Sequence, residues 1–157
     1  MTGRVRAALL LVPPPVVYAA FFGAGVVIDR LVPWSPAGMQ SGLASGIAWL
    51  VMIAAVSLGI VSVGWLRWRK TTVLPHGHPT HLVTDGPYAM SRNPIYVALT
   101  CAYCAGAVLV ARVWPLVFLV GPLLVMQHGI IPFEEQRMRA AFGERYEDYC
   151  RRVRRWI

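Results

Sequence analysis

Four long apolar blocks separated by polar intervals set the pattern of this chain. They run from Val5 to Ile28, from Gly42 to Leu66, from Ile95 to Val110 and from Trp114 to Ile131. Apolar runs of about 20 residues are typical of transmembrane helices. The pattern predicts an all-α integral membrane protein of one domain, with four transmembrane helices.

Proline and glycine modify the predicted helices. The proline run 13–15 interrupts the first block, which predicts either a kinked helix or a short interfacial piece before a helix that begins near Pro15. Residues 111–113 alone separate the last two blocks, so we expect those two helices to form a tight antiparallel hairpin. Gly121 and Pro122 are expected to kink the fourth helix.

The chain changes character after the fourth block. Between residues 132 and 156, apolar residues recur at helical spacing among charged ones, which predicts one amphipathic helix at the membrane interface. Gly143 weakens that helix in its middle. The apolar stripe comprises Met138, Phe142, Tyr146, Tyr149, Val153 and Trp156, and the opposite face carries Arg145, Arg151, Arg152 and Arg155.

Composition and charge agree with a membrane protein. Apolar residues make up 57% of the 157 residues, charged residues make up 14%, and the mean hydropathy is +0.54. The net charge of +8 would suit nucleic acid, but the basic residues lie beside the apolar blocks and in the last segment. That placement favours contact with anionic lipid head groups, so we expect the bilayer as a partner and no nucleic acid.

The distribution of basic residues predicts the topology. With four spans, 13 of the 15 basic residues fall on one side, which the positive-inside rule identifies as the cytoplasm. Both termini are then cytoplasmic, and a short basic chain of this kind suits a bacterial inner membrane. The glycine- and alanine-rich second block allows close packing, but the oligomeric state is not predicted. Of the three cysteines, Cys101 and Cys104 share a helix face, either as buried thiols or as a redox or metal pair.

The longest polar interval, residues 71–94, contains the first candidate site. Gly86-Pro87 predicts a turn, and Asn93-Pro94 predicts a helix start with Asn93 as its N-cap. Arg92 then lies at the positive end of a long helix, where an anion is stabilised. The alternative is an ordinary loop leading into a membrane helix.

Glu134 and Glu135 form the second candidate site, on the same predicted side as Arg92. Adjacent carboxylates at a membrane boundary are costly unless solvated, paired or used. They either cap the amphipathic helix or clamp a cationic group. With Arg92 for an anion, they suit the amino-acid end of S-adenosylmethionine, which carries a carboxylate and an ammonium group.

Histidines offer weaker candidates. His76, His78 and His81 lack the cysteine or carboxylate neighbours of an ordinary metal site, so no metal is predicted. His128, near the cytoplasmic end of the fourth block, is a candidate for a catalytic role or for a hydrogen-bonded packing residue. The chain has no Gly-x-Gly-x-x-Gly turn, which argues against a soluble dinucleotide-type domain.

Two motifs together resemble a known family. Residues 82–88 read Leu-Val-Thr-Asp-Gly-Pro-Tyr, residues 91–96 read Ser-Arg-Asn-Pro-Ile-Tyr, and a later segment holds the glutamate pair, Phe142-Gly143 and Arg155-Trp156. This arrangement resembles the isoprenylcysteine carboxyl methyltransferases and is similar to the related bacterial phospholipid methyltransferases. The resemblance covers residues 82–156. Many members have His at the position of Asn93 and Gly at that of Ala98.

The resemblance implies an S-adenosylmethionine-dependent methyltransferase and carries over roles to matching residues. Arg92, Glu134 and His128 are then the catalytic candidates, and Tyr146, Tyr149 and Arg152 lie near the cofactor lid or the entrance for a lipophilic substrate. The cofactor would be lined by His81, Leu82, Val83, Gly86, Pro87, Tyr88, Arg92, Asn93, Pro94, Tyr96, Glu134 and Glu135.

The resemblance also implies in-line methyl transfer to a lipid-like or isoprenoid acceptor. A carboxylate acceptor, of prenylcysteine type or another, needs no general base, whereas an amine or phenol needs one, for which His128 or a glutamate is available. Two other functions stay open from the sequence: an NADPH-dependent membrane reductase of the sterol reductase type, and a non-enzymatic small membrane subunit.

Overall fold

The computed structural model describes residues 12–70 and 80–157, and this part of the chain is helical without a β-strand. Short 3-10 turns cover Ala37–Gln40 and Gly86–Ala89, and a π-helical turn covers Met126–Ile130. The α-helices are α1 (Pro14–Leu31), α2 (Gly42–Trp68), α3 (Pro94–Leu109), α4 (Trp114–Phe118), α5 (Val120–Val125), α6 (Ile131–Phe142) and α7 (Glu144–Arg152).

Three stretches of the described chain are long and apolar enough to cross a membrane. They are α1, α2 and the consecutive helical segments from Trp114 to Phe142. The protein is therefore an integral membrane protein. Helix α3 is apolar but has only 16 residues, about 24 Å at 1.5 Å per residue, which is short of a hydrocarbon core of about 30 Å. The predicted count of four spans thus stays a prediction.

Helix α1 decides between the two interpretations of the proline run. The helix begins at Pro14, whose missing N–H is harmless in the first turn. The interpretation of a helix that begins near Pro15 is therefore confirmed, whereas residues 1–11 lie outside the described residues. At the next start, Ser41 is the N-cap of α2, and its hydroxyl oxygen accepts the N–H of Ala44 at 3.2 Å.

The predicted turn at residues 111–113 is confirmed. Ala111 has a positive φ of 52°, and the N–H of Arg112 donates to the carbonyl of Ala107 at 3.1 Å. The Arg112 guanidinium also pairs with Asp29, a buried carboxylate at the end of α1. Beyond the turn, α3 packs chiefly along α2, whereas α4 packs against α1.

The last membrane stretch is not a regular helix. Pro122 has no N–H to donate to the carbonyl of Phe118, and α4 ends at Phe118. Leu119 alone separates it from α5. The disturbance expected at Gly121-Pro122 is thus present as an interruption. The π-helical turn that follows was not predicted, because a single extra residue leaves the apolar pattern of a buried helix unchanged.

The core joins the ends of α1 and α3 to the π-helical turn. Helix α2 contributes an outward apolar face with Leu43, Leu50 and Ile60 largely exposed, as expected for contact with lipid. The buried cluster comprises Val17, Tyr18, Tyr96, Tyr103, Met126, Ile130 and Ile131.

The prediction of one amphipathic helix over residues 132–156 is wrong, because the helix is not continuous. The chain breaks at Gly143, whose φ of +51° lies in the region that favours glycine, and α7 ends at Arg152. Val153 is extended, so residues 153–157 are not a continuation of the helix. We call residues 153–157 the C-terminal strap.

Candidate functional site

The loop before α3 is fixed to the end of α2. The indole N–H of Trp65 donates to Asp85 at 3.0 Å, and the Arg69 guanidinium pairs with the same carboxylate. These contacts, the Trp65 hydrogen bond first, hold the pKa of Asp85 below its usual value. Asp85 therefore anchors the loop, although sequence analysis gave it no role.

An open pocket of about 440 Å³ lies along this loop. Its lining includes Arg69 and residues 81–85, so it contains three of the residues predicted to line a cofactor, His81, Leu82 and Val83. Such a volume is in the range of small-molecule sites, about 300–1,000 Å³.

The predicted turn at Gly86-Pro87 is confirmed. Gly86 has a φ of +59°, and a Cβ added there would lie 2.6 Å from the Trp65 ring. Only glycine fits both constraints. The turn places Tyr88 in a buried position, where its carbonyl accepts the hydroxyl of Tyr149 at 2.6 Å.

The hydroxyl of Tyr88 is buried without a hydrogen-bond partner from the described residues. Burial raises the pKa of this phenol, and the charges of Tyr149 and Glu134 raise it further. A buried hydroxyl without a hydrogen-bond partner is unusual in a folded protein.

The helix start at Asn93-Pro94 is confirmed, but the role expected of the Asn93 side chain is wrong. Pro94 is the first residue of α3, and the Asn93 side chain makes no capping hydrogen bond. Its amide nitrogen instead donates to the carbonyl of Arg155 at 2.9 Å. The Ser91 hydroxyl accepts the Asn93 N–H at 3.1 Å. Asn93 therefore ties the motif to the C-terminal strap.

Glu135 is the centre of an arginine cluster. Its buried carboxylate accepts two hydrogen bonds from Arg155, at 3.0 and 2.7 Å, and lies 3.2 Å from Nη1 of Arg92. Arg139 approaches the same carboxylate at 3.8 Å. Because both oxygens of Glu135 already have arginine partners, this carboxylate holds the motif, α6 and the strap together. Arg155 is therefore not on an exposed polar face, as the single-helix prediction required.

Arg92 is only partly satisfied by these contacts. Its Nη1 donates to the sulfur of Cys150 at 2.6 Å, and its buried Nε has no hydrogen-bond partner among the described residues. Burial alone would lower the pKa of this guanidinium, but Glu135 raises it above the usual value. The contact with Cys150 was not predicted, because Cys150 lies one residue after Tyr149 and was not included in the predicted apolar stripe.

Glu134 has a different environment from its neighbour. One of its oxygens accepts the buried Tyr96 hydroxyl at 2.7 Å. In the part of the chain that the structure describes, no lysine, arginine or histidine forms an ion pair with it. The structure thus brings Arg92, Tyr96, Glu134 and Glu135 together, and among the residues it describes no cation pairs with Glu134.

The other predicted residues fall into two groups. Tyr146 and Tyr149 are buried on α7, whereas Arg152 is exposed and its Nε donates to the Asp148 carbonyl at 3.3 Å. His128 is exposed on the π-helical turn, and within the described chain no hydrogen bond or ion pair joins it to Arg92 or Glu134.

The histidine and cysteine candidates that the structure describes form no metal site. His76 and His78 lie outside the described residues, and among the described residues no group of three His, Cys, Asp or Glu side chains is placed to hold a metal ion. The three cysteines are free thiols.

Comparison with known proteins gives a family match. A family model described as phospholipid methyltransferase matches residues 43–145, which is more than half of the chain. The match includes α2, the loop that holds Asp85 and Tyr88, and both glutamates. No curated protein and no solved structure matches the chain significantly.

Proposed function

The chain belongs to the phospholipid methyltransferase family, and we propose that it transfers the methyl group of S-adenosylmethionine to a lipophilic acceptor at the membrane. The observation that carries this proposal is the carboxylate of Glu134, which is held by Tyr96 and has no cationic partner in the described chain. Such a group favours a ligand that brings its own positive charge.

The side chains around Glu134 fit the cofactor that we propose. Glu134 would hold the ammonium group, and the unpartnered Nε of Arg92 would hold the carboxylate at the start of α3. The Tyr88 hydroxyl, also without a partner among the described residues, provides a further polar contact. The loop of residues 81–88 would line the remainder of the cofactor, in the pocket beside Arg69.

S-adenosylmethionine supplies a methyl group that a positively charged sulfur has already activated. The task of the protein is therefore positioning, exclusion of water and stabilisation of charge. Tyr88 and Tyr96 are buried aromatic residues on the two sides of the motif, and their ring faces suit a cation. Tyr146, Tyr149 and Arg152 are our candidates for the lid or the substrate entrance.

We propose a lipid-like or isoprenoid carboxylate as the acceptor, because a carboxylate is already nucleophilic. Methylation of an amine or a phenol would release a proton, for which His128 or a glutamate is the candidate base. We propose that this site faces the cytoplasm, because the positive-inside rule favours that side for the arginines beside α2 and α7. The family match gives no support to a reductase or to a non-enzymatic subunit.

Calorimetric titration of the detergent-purified protein with S-adenosylmethionine tests the proposal. Glu134→Ala and Arg92→Ala should each weaken binding about tenfold or more, since a charge-assisted contact is worth about 1.5–3 kcal/mol. Glu144→Ala, which removes an exposed glutamate at the start of α7, is the matched control and should bind normally. A folded wild-type protein that does not bind S-adenosylmethionine would contradict the proposal.

Incubation with methyl-labelled S-adenosylmethionine then tests the acceptor. A prenylated thioether carboxylate and phosphatidylethanolamine, each in mixed micelles, represent a carboxylate and an amine. Labelling of the carboxylate alone supports our proposal. Labelling of the amine alone would contradict the carboxylate assignment while supporting methyl transfer.

A further inference from the structure

The C-terminal strap lies directly over the motif that precedes α3. The N–H of Arg92 donates to the carbonyl of Arg154 at 3.0 Å, and the side chains of Ser91 and Asn93 donate to the carbonyl of Arg155 at 3.3 and 2.9 Å. All three contacts use main-chain carbonyls of the strap. A substitution of the Arg155 side chain therefore leaves the acceptors of these hydrogen bonds in place.

A second contact holds the strap on its other side. The indole N–H of Trp156 donates to the Gln127 side chain, in the π-helical turn, at 2.9 Å. The backbone of Arg155 is thus fixed between Asn93 and Trp156 without help from its own guanidinium. The guanidinium of Arg155 is therefore not needed to hold the strap in place.

The guanidinium of Arg155 competes with Arg92 for Glu135. Arg155 donates to both carboxylate oxygens, at 3.0 and 2.7 Å, whereas Arg92 reaches one oxygen through Nη1 at 3.2 Å. A guanidinium fork prefers to take both oxygens of a carboxylate. Without the Arg155 guanidinium, the Arg92 guanidinium could pair with both oxygens of Glu135.

We propose that Arg155 is a positioning residue that occupies both oxygens of Glu135, limits Arg92 to one contact through Nη1, and so keeps Nε of Arg92 available for the carboxylate of a bound ligand. The role rests on the proposed function, because the ligand carboxylate is that of S-adenosylmethionine. Arg155 touches no ligand in this scheme. It acts through Glu135, whose carboxylate would otherwise pair with both arms of the Arg92 guanidinium.

The proposal predicts an unusual relation between two substitutions. Arg155→Ala frees Glu135 to capture Arg92, so ligand binding weakens. Adding Glu135→Gln removes the charge that captures Arg92, so the double variant should recover binding relative to Arg155→Ala alone. A purely structural role of the Glu135–Arg155 pair predicts instead that Arg155→Ala weakens binding of every ligand, with or without a carboxylate, because the unpaired buried charge disturbs the whole site.

The experiment is calorimetric titration of the full chain in detergent with S-adenosylmethionine and with its decarboxylated form, which lacks the carboxylate. Arg155→Ala should weaken binding of the first ligand about tenfold, the size of one charge-assisted contact, and leave binding of the second unchanged. Arg155→Lys, a point charge without the fork, should lie between Arg155→Ala and wild type. Arg154→Ala, which removes the exposed neighbouring side chain, is the matched control and should bind both ligands normally.

Recovery in the double variant, together with an effect confined to the ligand that has a carboxylate, supports the proposal. If Arg155→Ala does not fold, the Arg155→Lys titration and the pair Arg155→Lys/Glu135→Gln supply the same comparison. Equal weakening for both ligands, or further weakening in the double variant, overturns the role of Arg155 but not the proposed function. Wild-type protein that binds neither ligand overturns both.

Discussion

Glu134 and Glu135 are neighbours in the chain but belong to different parts of the molecule. Glu135 is buried among Arg92, Arg139 and Arg155, and Arg155 alone occupies both of its oxygens. Glu134 accepts one tyrosine hydroxyl and, among the described residues, pairs with no cation. Within the described chain, Glu135 is thus saturated by arginines and Glu134 is not.

The geometry of α6 explains the difference. Successive residues of an α-helix point about 100° apart, so one glutamate faces α7 and the strap while the other faces Tyr96 on α3. A buried charge is tolerated only when it is paired and hydrogen-bonded. The fold meets that requirement at Glu135, and at Glu134 we propose that the ligand meets it.

The strongest test of this comparison is to remove each carboxylate in turn and to measure the free energy of unfolding. Glu135→Ala leaves Arg92 and Arg155 without their shared partner, and we expect a loss of about 3–5 kcal/mol in the free energy of unfolding, as for other broken buried pairs. Thermal unfolding in detergent, followed by circular dichroism, measures the loss.

Glu134→Ala is the matched control for that measurement, because it removes the adjacent carboxylate with no ion pair to break. We expect a clearly smaller loss of stability. Equal losses in the two variants would show that both glutamates are structural, and the division of roles would be wrong.

A smaller effect should follow from Tyr96→Phe. This substitution keeps the buried ring and removes the hydroxyl that donates to Glu134 at 2.7 Å. One hydrogen bond is worth about 1 kcal/mol, so we expect a severalfold loss of S-adenosylmethionine affinity in calorimetry. Tyr103→Phe removes a buried hydroxyl of the same helix that has no partner in the described chain, and it should bind normally. A loss in both variants would contradict the role given to Tyr96.

The smallest effect is expected for Asp85, an exposed carboxylate that contrasts with Glu134 and Glu135. Its pKa in the folded protein is lowered by the Trp65 N–H and by Arg69, so its ionised form stabilises the folded state. That contribution is complete at pH values above its ordinary pKa, about 4, and is lost as the pH falls through the lower folded value.

Unfolding of wild type and Asp85→Asn between pH 7 and pH 3 measures this contribution. The difference in stability should be constant near neutral pH and should shrink in acid. It should also be small, because Arg69 and Asp85 are both exposed to solvent. A difference that grows in acid would contradict the sign derived from the lowered pKa.

The sequence predicted the parts of the molecule that depend on local rules. Apolar length located α2, the missing N–H of proline located the start of α3 at Pro94, and Gly86-Pro87 located the turn. The resemblance of the two motifs placed Arg92 near the glutamate pair. In the structure, Nη1 of Arg92 lies 3.2 Å from a carboxylate oxygen of Glu135. The site roles drawn from that resemblance stay predictions.

The remainder could not be predicted because it depends on contacts between distant residues. Nothing local to Arg155 indicates that its carbonyl accepts from Asn93 or that its guanidinium pairs with Glu135. The apolar stripe gave the correct buried faces of Tyr146 and Tyr149 but could not show that the helix breaks at Gly143. Periodicity describes which side of a helix is buried, not where the helix stops.

The π-helical turn at Met126–Ile130 sets the rotational phase of everything after it. A π-helical turn holds one more residue than the α-helical turn it replaces, and each residue advances the helix by about 100°. Winding the same residues as a regular α-helix would therefore rotate α6 by about one position and present Phe133 where Glu134 now faces Tyr96. The assignment of one glutamate to the scaffold and one to the ligand is thus decided four residues upstream of Glu134, by the length of a single turn.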